Sequence, residues 1–157
     1  MYPYLFLVPL LAFFGGAGAR ELNANAVPAA VGTALGTPNP MSNHLRIRIG
    51  TKVFTATLRD NPTAAAFKAR LPLTISMKEL NGNEKFYHLP ESLPAKAANP
   101  GTIHAGDLML YGTDTVVLFY QTFATPYTYT RLGQLDNPAG LAAALGVGSA
   151  TVTFELP

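Results

Sequence analysis

Residues 45–77 read LRIRIGTKVFTATLRDNPTAAAFKARLPLTISM, and this stretch decides the fold. Its first part alternates apolar and polar side chains with the two-residue period that is typical of a half-buried strand. Gly50-Thr51 predicts a two-residue turn with glycine in the first position, after which the alternation resumes in a return strand. The stretch therefore begins with a β-hairpin.

A short helix is predicted directly after the hairpin. Asn61 can act as the N-cap by accepting a hydrogen bond from a free N–H of the first turn, and Pro62 suits the first helical position. Phe67 and Leu71 form an apolar stripe, and Pro72 ends the helix because it disfavours helical geometry at the residue before it. A helix with one narrow apolar face predicts a plug for the open end of a barrel.

The remainder of the chain is predicted to be mostly strands. Apolar alternation and apolar runs predict strands over 73–77, 85–89, 103–111, 115–123, 125–135 and 151–156. Three prolines indicate a long loop over 90–102, and Asn137 is predicted to cap a last helix over 138–145, which Gly146 ends. Around eight short strands with two short helices predict a mainly β fold, a closed β-barrel capped at its ends.

The first part of the chain differs from the rest in composition. Residues 1–19 are uncharged, and their apolar run ends in an A-x-A cleavage pattern, so they are predicted to be a signal peptide. Residues 20–42 have few large apolar side chains and are predicted to be a disordered linker, which leaves 43–157 as the barrel domain. We therefore expect an exported protein, periplasmic or secreted, whose mature chain does not insert into a membrane.

Two alternatives for this segment stay open. No Lys or Arg precedes the apolar run and two prolines interrupt it, so an uncleaved membrane tether is the first alternative. The second is translation from Met41, directly before the first strand, which would leave the protein in the cytoplasm.

Composition excludes several classes of function. The chain of 157 residues has no cysteine, which excludes disulfides and thiolate chemistry, and its net charge of +2 is too small to predict binding to nucleic acid. His44, His88 and His104 are widely spaced, and no nucleophile constellation or phosphate-binding loop occurs. Asp107, beside Gly106, is predicted to bond to the backbone of its own turn. The sequence thus predicts no catalytic residue, no metal site and no cofactor.

Several phrases together resemble one family. They are the opening stretch and the segments NEKFYHLP (83–90), PGTIHAGDLMLYG (100–112), VVLFYQTF (116–123) and TYTRLGQL (128–135). They are similar to the bacterial cyclophilin-like proteins, small β-barrels of uncharacterised function that share the fold of peptidyl-prolyl isomerases. The resemblance covers about 45–156 and implies an eight-stranded barrel closed by two helices. Members often carry a leader and a linker, which favours export.

The resemblance also implies where a groove would lie. In true cyclophilins an arginine on a barrel strand stabilises the twisting prolyl peptide, and aromatic residues line the proline pocket. The stretch around that arginine, the tryptophan and the segment of the pocket histidine have no counterpart here. The strand that carries pocket aromatics corresponds to 116–123, which places Phe119 and Tyr120 near an equivalent groove.

The aromatic set Phe119, Tyr120, Phe123, Tyr127 and Tyr129 is the main candidate for recognition. Of these, Phe119, Tyr120, Tyr127 and Tyr129 are the predicted ligand-binding residues. Tyrosines at the rim of an apolar cleft suit a peptide or a small molecule. We expect Phe119 to be a core residue, and Tyr127 and Tyr129 to be partly accessible. This set predicts a peptide- or small-ligand-binding module.

Two charged residues complete the predicted site. Glu84 can anchor a polar group of the ligand, and the alternative is a surface ion pair with Lys85. Arg131 is the basic residue expected in the groove, and it would be the donor if the protein were instead a peptidyl-prolyl isomerase with a rewired active groove. Because fold does not imply function, both hypotheses remain.

Overall fold

The structure, a computed structural model, describes residues 42–157. The predicted signal peptide (1–19) and the predicted linker (20–42) lie outside these residues, apart from Ser42. The elements are β1 (His44–Ile49), β2 (Lys52–Leu58), α1 (Pro62–Lys68), β3 (Leu73–Leu80), β4 (Glu84–His88), β5 (Thr102–Ile103), β6 (Asp107–Tyr111), β7 (Thr115–Phe119), β8 (Phe123–Ala124), β9 (Thr130–Leu135), α2 (Leu141–Leu145) and β10 (Ala150–Glu155). No helix among residues 42–157 has the length and apolar character needed to cross a membrane.

Eight of the strands form one closed antiparallel barrel. The order around the barrel is β1, β10, β3, β4, β7, β6, β9 and β2, and β2 pairs with β1 to close it. β5 and β8 pair with each other in a separate two-stranded sheet. The predicted mainly β fold, a closed barrel of about eight strands with two short helices, is confirmed.

The predicted hairpin is β1 and β2. Leu45, Ile47 and Ile49 are buried in the barrel, and Gly50 adopts a φ of +56° in the turn between the strands. On the outer surface Arg48 donates a hydrogen bond of 2.9 Å to Glu155 of β10. The alternation of the sequence thus separates the barrel interior from the solvent.

α1 closes one end of the barrel, as the sequence predicts. The Asn61 side-chain oxygen accepts a hydrogen bond of 2.8 Å from the Ala64 N–H, and its amide nitrogen donates one of 2.9 Å to the Arg131 carbonyl on β9. The buried Phe67 ring meets the Phe154 ring edge-on, with 5.5 Å between centroids. One residue therefore caps the helix and also ties it to the barrel wall.

Both helices are shorter than predicted. α1 ends at Lys68, because the chain tightens to i→i−3 hydrogen bonds at Arg70 and Leu71 before Pro72. The predicted cap Asn137 instead closes a turn, with its side chain accepting from the Ala139 N–H, and α2 starts only at Leu141.

Three predicted strands are interrupted. The segment 103–111 is divided between β5 and β6 by a turn in which Gly106 has a φ of +92°. The Asp107 carboxylate accepts a hydrogen bond of 2.9 Å from the His104 N–H in that turn, which confirms the prediction for Asp107. The segment 115–123 is likewise divided into β7 and β8, and β9 begins only at Thr130.

These interruptions place a second apolar cluster outside the barrel. On β7, Val116 and Leu118 belong to the barrel core, whereas Val117 and Phe119 point to the outer face. The outward residues are nevertheless buried, because β5, β8 and Tyr129 cover them. The strongly apolar β7 is thus buried on both faces.

Candidate functional site

A groove lies on the outer face of the barrel, beside the second apolar cluster. Its cavity volume is about 520 Å³. Residues from β4, β6, β7, β8 and the chain before β9 supply most of its wall, and no Lys or Arg of the described part of the chain lines it. The lining residues are Leu80, Asn81, Asn83, Glu84, Phe86, His88, Tyr111, Thr115, Val117, Phe123, Ala124, Thr125, Pro126, Tyr127 and Tyr129.

A chain of aromatic contacts joins the groove to the cluster beneath it. The Tyr111 ring contacts Tyr127 and Tyr129, with centroids 6.4 Å and 5.6 Å away. Tyr129 in turn meets the buried Phe119 ring edge-on at 5.5 Å, and Phe119 lies 5.8 Å from Phe123. These packed rings give the groove a preformed aromatic wall.

Among residues 42–157, Glu84 is the one acidic residue that lines the groove. The register of β4 pairs it with Leu80 on one side and Phe119 on the other, so all three point to the outer face. Within residues 42–157 its carboxylate has no hydrogen bond and no ion pair. Burial, followed by the charge of Glu79, raises the pKa of the Glu84 carboxyl above its ordinary value. A carboxylate without a counter-charge is therefore held against an aromatic wall.

The predicted surface ion pair between Glu84 and Lys85 is wrong. Successive residues of a strand point to opposite faces, so Lys85 points into the end of the barrel and is fully buried. Its ammonium forms an ion pair with Glu79 and donates to the carbonyls of Gly146 (2.9 Å) and Gly148 (2.6 Å). Lys85 thus connects the β3–β4 hairpin to the chain that follows α2.

Tyr120 belongs to this same buried network and does not line the groove. Its hydroxyl donates a hydrogen bond of 2.8 Å to Glu79, and the Lys85 ammonium lies 5.6 Å from its ring centroid. Burial, then the hydrogen bond to Glu79, raises the pKa of Tyr120 to about 12. Burial alone would raise the pKa of Glu79, but the hydrogen bonds from Lys85 and Tyr120 outweigh it and lower that pKa.

The structure brings together three of the predicted site residues: Glu84, Tyr127 and Tyr129 all line the groove. The prediction of partial accessibility is correct for Tyr127, which is 59% exposed, and wrong for Tyr129, which is 7% exposed. Tyr129 is buried because it packs between the rings of Tyr111 and Phe119. Phe119 is fully buried, as predicted, and supports the groove from below.

Arg131 lies elsewhere. It lines a second cavity of about 490 Å³, together with the start of α1 and the proline-rich segment 94–100. Tyr129 contributes to both cavities, but Arg131 does not line the aromatic groove. The expectation that Arg131 would be the basic group of the groove is therefore wrong, because the groove ends at Tyr129 and the first residues of β9, Thr130 and Arg131, line the second cavity.

Two aromatic residues of the groove, Phe86 and Tyr111, were not predicted, whereas Phe123 belongs to the aromatic set that the sequence singles out. The two-residue period of the NEKFYHLP segment already places Phe86 on the same face as Glu84, so this residue could have been found. Tyr111 and Phe123 lie at the end of β6 and in β8, and only the pairing of distant strands brings them to the groove.

The structure shows no group of three or more His, Cys, Asp or Glu residues within 42–157 that could hold a metal ion. His88 Nδ1 lies 2.8 Å from the Thr115 hydroxyl, and His104 lies 3.9 Å from the Asp107 carboxylate. Each of these histidines therefore has a local polar partner.

Comparison with known proteins agrees with the barrel topology. The chain is similar to the solution structure of the hypothetical protein AF2241 from Archaeoglobus fulgidus, with a TM-score of 0.55 and 20% identity. The match covers 74% of this chain and 95% of that one, and at this identity it shows the fold alone. A search of curated proteins found no match. The family model described as the cyclophilin-like family matches residues 47–155, most of the chain, and the chain therefore belongs to the cyclophilin-like family.

Proposed function

We propose that this protein is a binding module whose groove on the outer face of the barrel takes a peptide or a small molecule. The observation that carries the proposal is the groove of about 520 Å³ with an aromatic wall. Concave, mostly apolar sites with a few polar groups are the usual form of ligand sites. Glu84, Asn81 and Thr125 supply such polar groups around the rings.

The exposure of two large aromatic side chains supports a binding role. Tyr111 and Tyr127 are 47% and 59% exposed, and both lie beside the same concavity. Covering apolar surface contributes about 25 cal/mol per Å², so a ligand seated on these rings gains affinity from their burial. Buried Phe119 and Tyr129 hold the rings in place, which reduces the entropy that binding would cost.

A screen by thermal unfolding tests this proposal. We expect at least one member of a panel of peptides and small metabolites to raise the melting temperature of the wild type. At a ligand concentration 100-fold above Kd the stabilisation is about 2.7 kcal/mol, which corresponds to roughly 10 °C. Tyr127→Ala should reduce that shift strongly, whereas the control Val53→Ala, which changes an exposed apolar residue outside the groove, should retain it. A shift that both variants retain, or no shift in the whole panel, would contradict the proposal.

No observation favours the alternative of a peptidyl-prolyl isomerase. Such an enzyme needs a donor at the twisting amide, and Arg131 lines the second cavity instead of the groove. We expect no acceleration when the wild type is added to a proline-containing peptide in an isomerisation assay. If the wild type accelerates isomerisation and Arg131→Ala abolishes the acceleration, the isomerase hypothesis replaces the proposal of a binding module.

We also propose that the protein is exported. The support is the uncharged apolar segment at 5–14 followed by Ala17-Gly18-Ala19, which fits a cleaved leader. N-terminal sequencing of the protein purified from its own cell is expected to begin at Arg20. A retained Met1, or a product that begins at Met41, would rule out the cleaved leader.

A further inference from the structure

Glu84 gives the groove a charge that nothing in the barrel neutralises. The nearest basic residue in sequence, Lys85, points to the opposite face and is held by Glu79 and two carbonyl groups. Lys78 on β3 pairs with Phe86 and so shares the outer face, but it neither lines the groove nor forms an ion pair with Glu84. The groove therefore presents a negative charge without a resident cation.

A second acceptor belongs to Asn83, the residue that precedes Glu84 in the chain. The Asn83 side-chain oxygen is buried and has no hydrogen-bond donor, and Asn83 also lines the groove. Buried acceptors without a donor are uncommon, because each one loses its hydrogen bonds to water. The Asn83 oxygen and the Glu84 carboxylate are thus two acceptors of the groove wall that receive no hydrogen bond from the described residues.

The rings around the carboxylate favour the same kind of ligand. The faces of Tyr and Phe rings carry partial negative charge and attract cations, most strongly where water is excluded. Tyr111 and Tyr127 are accessible from the groove, and Glu84 is close enough to Tyr129 to raise the pKa of its hydroxyl, although burial is the larger cause. The ring faces and the carboxylate therefore both present negative charge to a ligand in the groove.

From this complementarity we propose that the groove recognises a positively charged ammonium group carried on an apolar or aromatic skeleton. The ammonium pairs with the Glu84 carboxylate, and the skeleton packs against the rings of Tyr111 and Tyr127. The ammonium has donors for the Glu84 carboxylate, which has no partner among the described residues, and its charge offsets the cost of burying Glu84. This inference rests on the proposed function, because it names the ligand class of the same groove.

The experiment compares matched probes by calorimetry on the whole protein at pH 7.5. The probes are 2-phenylethylammonium, the neutral 2-phenylethanol and the anionic 3-phenylpropionate, which share one ring and differ in charge. Two peptide probes, phenylalanyl-alanine amide with a free or an acetylated N-terminus, distinguish a peptide terminus from a small amine as the source of the ammonium. We expect 2-phenylethylammonium to bind at least about tenfold more tightly than its neutral and anionic counterparts.

Two substitutions test whether the ammonium binds at Glu84. Glu84→Gln should weaken ammonium binding by at least about tenfold, because it removes the charge and keeps the shape. The control Glu91→Gln removes an exposed carboxylate outside the groove and should leave binding unchanged. Because the probe comparison uses wild-type protein, it stands even if a variant fails to fold.

The outcomes separate this inference from the proposed function. If the alcohol or the carboxylate binds as well as the ammonium, and Tyr127→Ala abolishes that binding, the ligand class is wrong and the groove remains a binding site. Failure of all five probes also overturns the ligand class. The binding module itself fails only if the wider panel of peptides and metabolites gives no shift in melting temperature.

Discussion

Glu84 and Lys85 are neighbours in the chain with opposite surroundings. The pleat of β4 directs Glu84 to the groove and Lys85 into the barrel, where its ammonium has three oxygen partners. The sequence offered two interpretations, Glu84 as an anchor for a ligand and a surface ion pair between Glu84 and Lys85, and the burial of Lys85 excludes the second. The one-residue step between them therefore decides which side chain lines the groove and which is buried in the barrel.

The raised pKa of Glu84 predicts how its replacement affects stability. A carboxyl whose pKa is higher in the folded state than its ordinary value of 4.5 binds protons more tightly when folded, so it costs stability as the pH rises through that range. Glu84→Gln should therefore unfold at a higher temperature than the wild type above pH 6, and the difference should vanish near pH 4. Lys78, Glu79, His88 and the groove tyrosines remain in both proteins, so the comparison isolates Glu84. Equal melting temperatures across the whole range would contradict the prediction.

Lys85 is predicted to contribute strongly to stability. Lys85→Met keeps the volume, leaves the carbonyls of Gly146 and Gly148 without their donor, and removes the counter-charge of Glu79, which keeps its hydrogen bond from Tyr120. Loss of one partner from a buried charged network costs about 3 kcal/mol, which chemical denaturation can measure. The control Lys78→Met changes an exposed lysine of the same hairpin and should alter stability by less than about 0.5 kcal/mol. Similar effects of the two substitutions would show that the buried network is not stabilising.

At the scale of single residues, the sequence predicts the burial of a side chain in an apolar run, but not burial by residues that are distant in the chain. Phe119 was expected in the core because an apolar run on a strand of a barrel must be buried, and it is fully buried. Tyr129 was expected to be half exposed, since alternation alone cannot show that Tyr111 would pack against it. When a side chain is buried by residues from other strands, its burial can be predicted only if the order of the strands is known.

At the scale of elements, the pairing of β2 with β9 depends on a position where their two backbones come close. Gly133 on β9 pairs with Leu58 on β2, and a Cβ atom added there would lie 2.6 Å from the Thr57 carbonyl oxygen. Real Cβ atoms do not approach backbone so closely, so any side chain at this position must push β2 and β9 apart. The absence of a side chain at Gly133 is thus a condition for closing the barrel on this side.

Gly133→Ala should accordingly destabilise the protein by about 2–3 kcal/mol, measured by chemical denaturation. The control Gly82→Asn lies in an open turn with a φ of +69° that Asn tolerates, and should cost less than about 1 kcal/mol. A neutral Gly133→Ala would mean that the strands can separate without loss.

Local signals predicted the elements that are defined locally. The β1–β2 turn needs a glycine and the α1 cap needs a short polar side chain, and the sequence supplies Gly50 and Asn61 at those positions. The end of α2 before Gly146 was predicted, but its start and the breaks within 103–111 and 115–123 were missed, because they depend on turns that apolar patterns do not show. An apolar run does not show where the chain leaves the barrel wall and forms a short strand that packs on its outer face.

At the scale of the molecule, the count of strands and the family resemblance predicted the barrel, but not its order. β10 lies between β1 and β3, and β2 pairs with β9, so the strand neighbours are distant in sequence. The groove follows from that order, since it combines β4, β6, β7 and β8. Sequence reasoning therefore found Glu84, Tyr127 and Tyr129 and also placed Arg131 in a groove to which it does not contribute.

The barrel closes entirely within the described residues, which predicts that 42–157 folds alone. A chain that begins at Ser42 should unfold within about 2 °C of the predicted mature chain, residues 20–157, in a thermal melt. Circular dichroism of both chains provides the control for equal strand content. A clearly lower melting temperature of the shorter chain would assign a structural role to residues 20–41.

Closure of the barrel also limits how copies of this protein can associate by pairing their strands. Each barrel strand has a hydrogen-bonded neighbour on both sides, so the barrel offers no free row of N–H and C=O groups to a foreign strand. Within 42–157 the remaining edges belong to β5 and β8, which have two residues each. Fibril growth by strand addition therefore lacks a template in the folded state, and amyloid from this domain would require the barrel to open first.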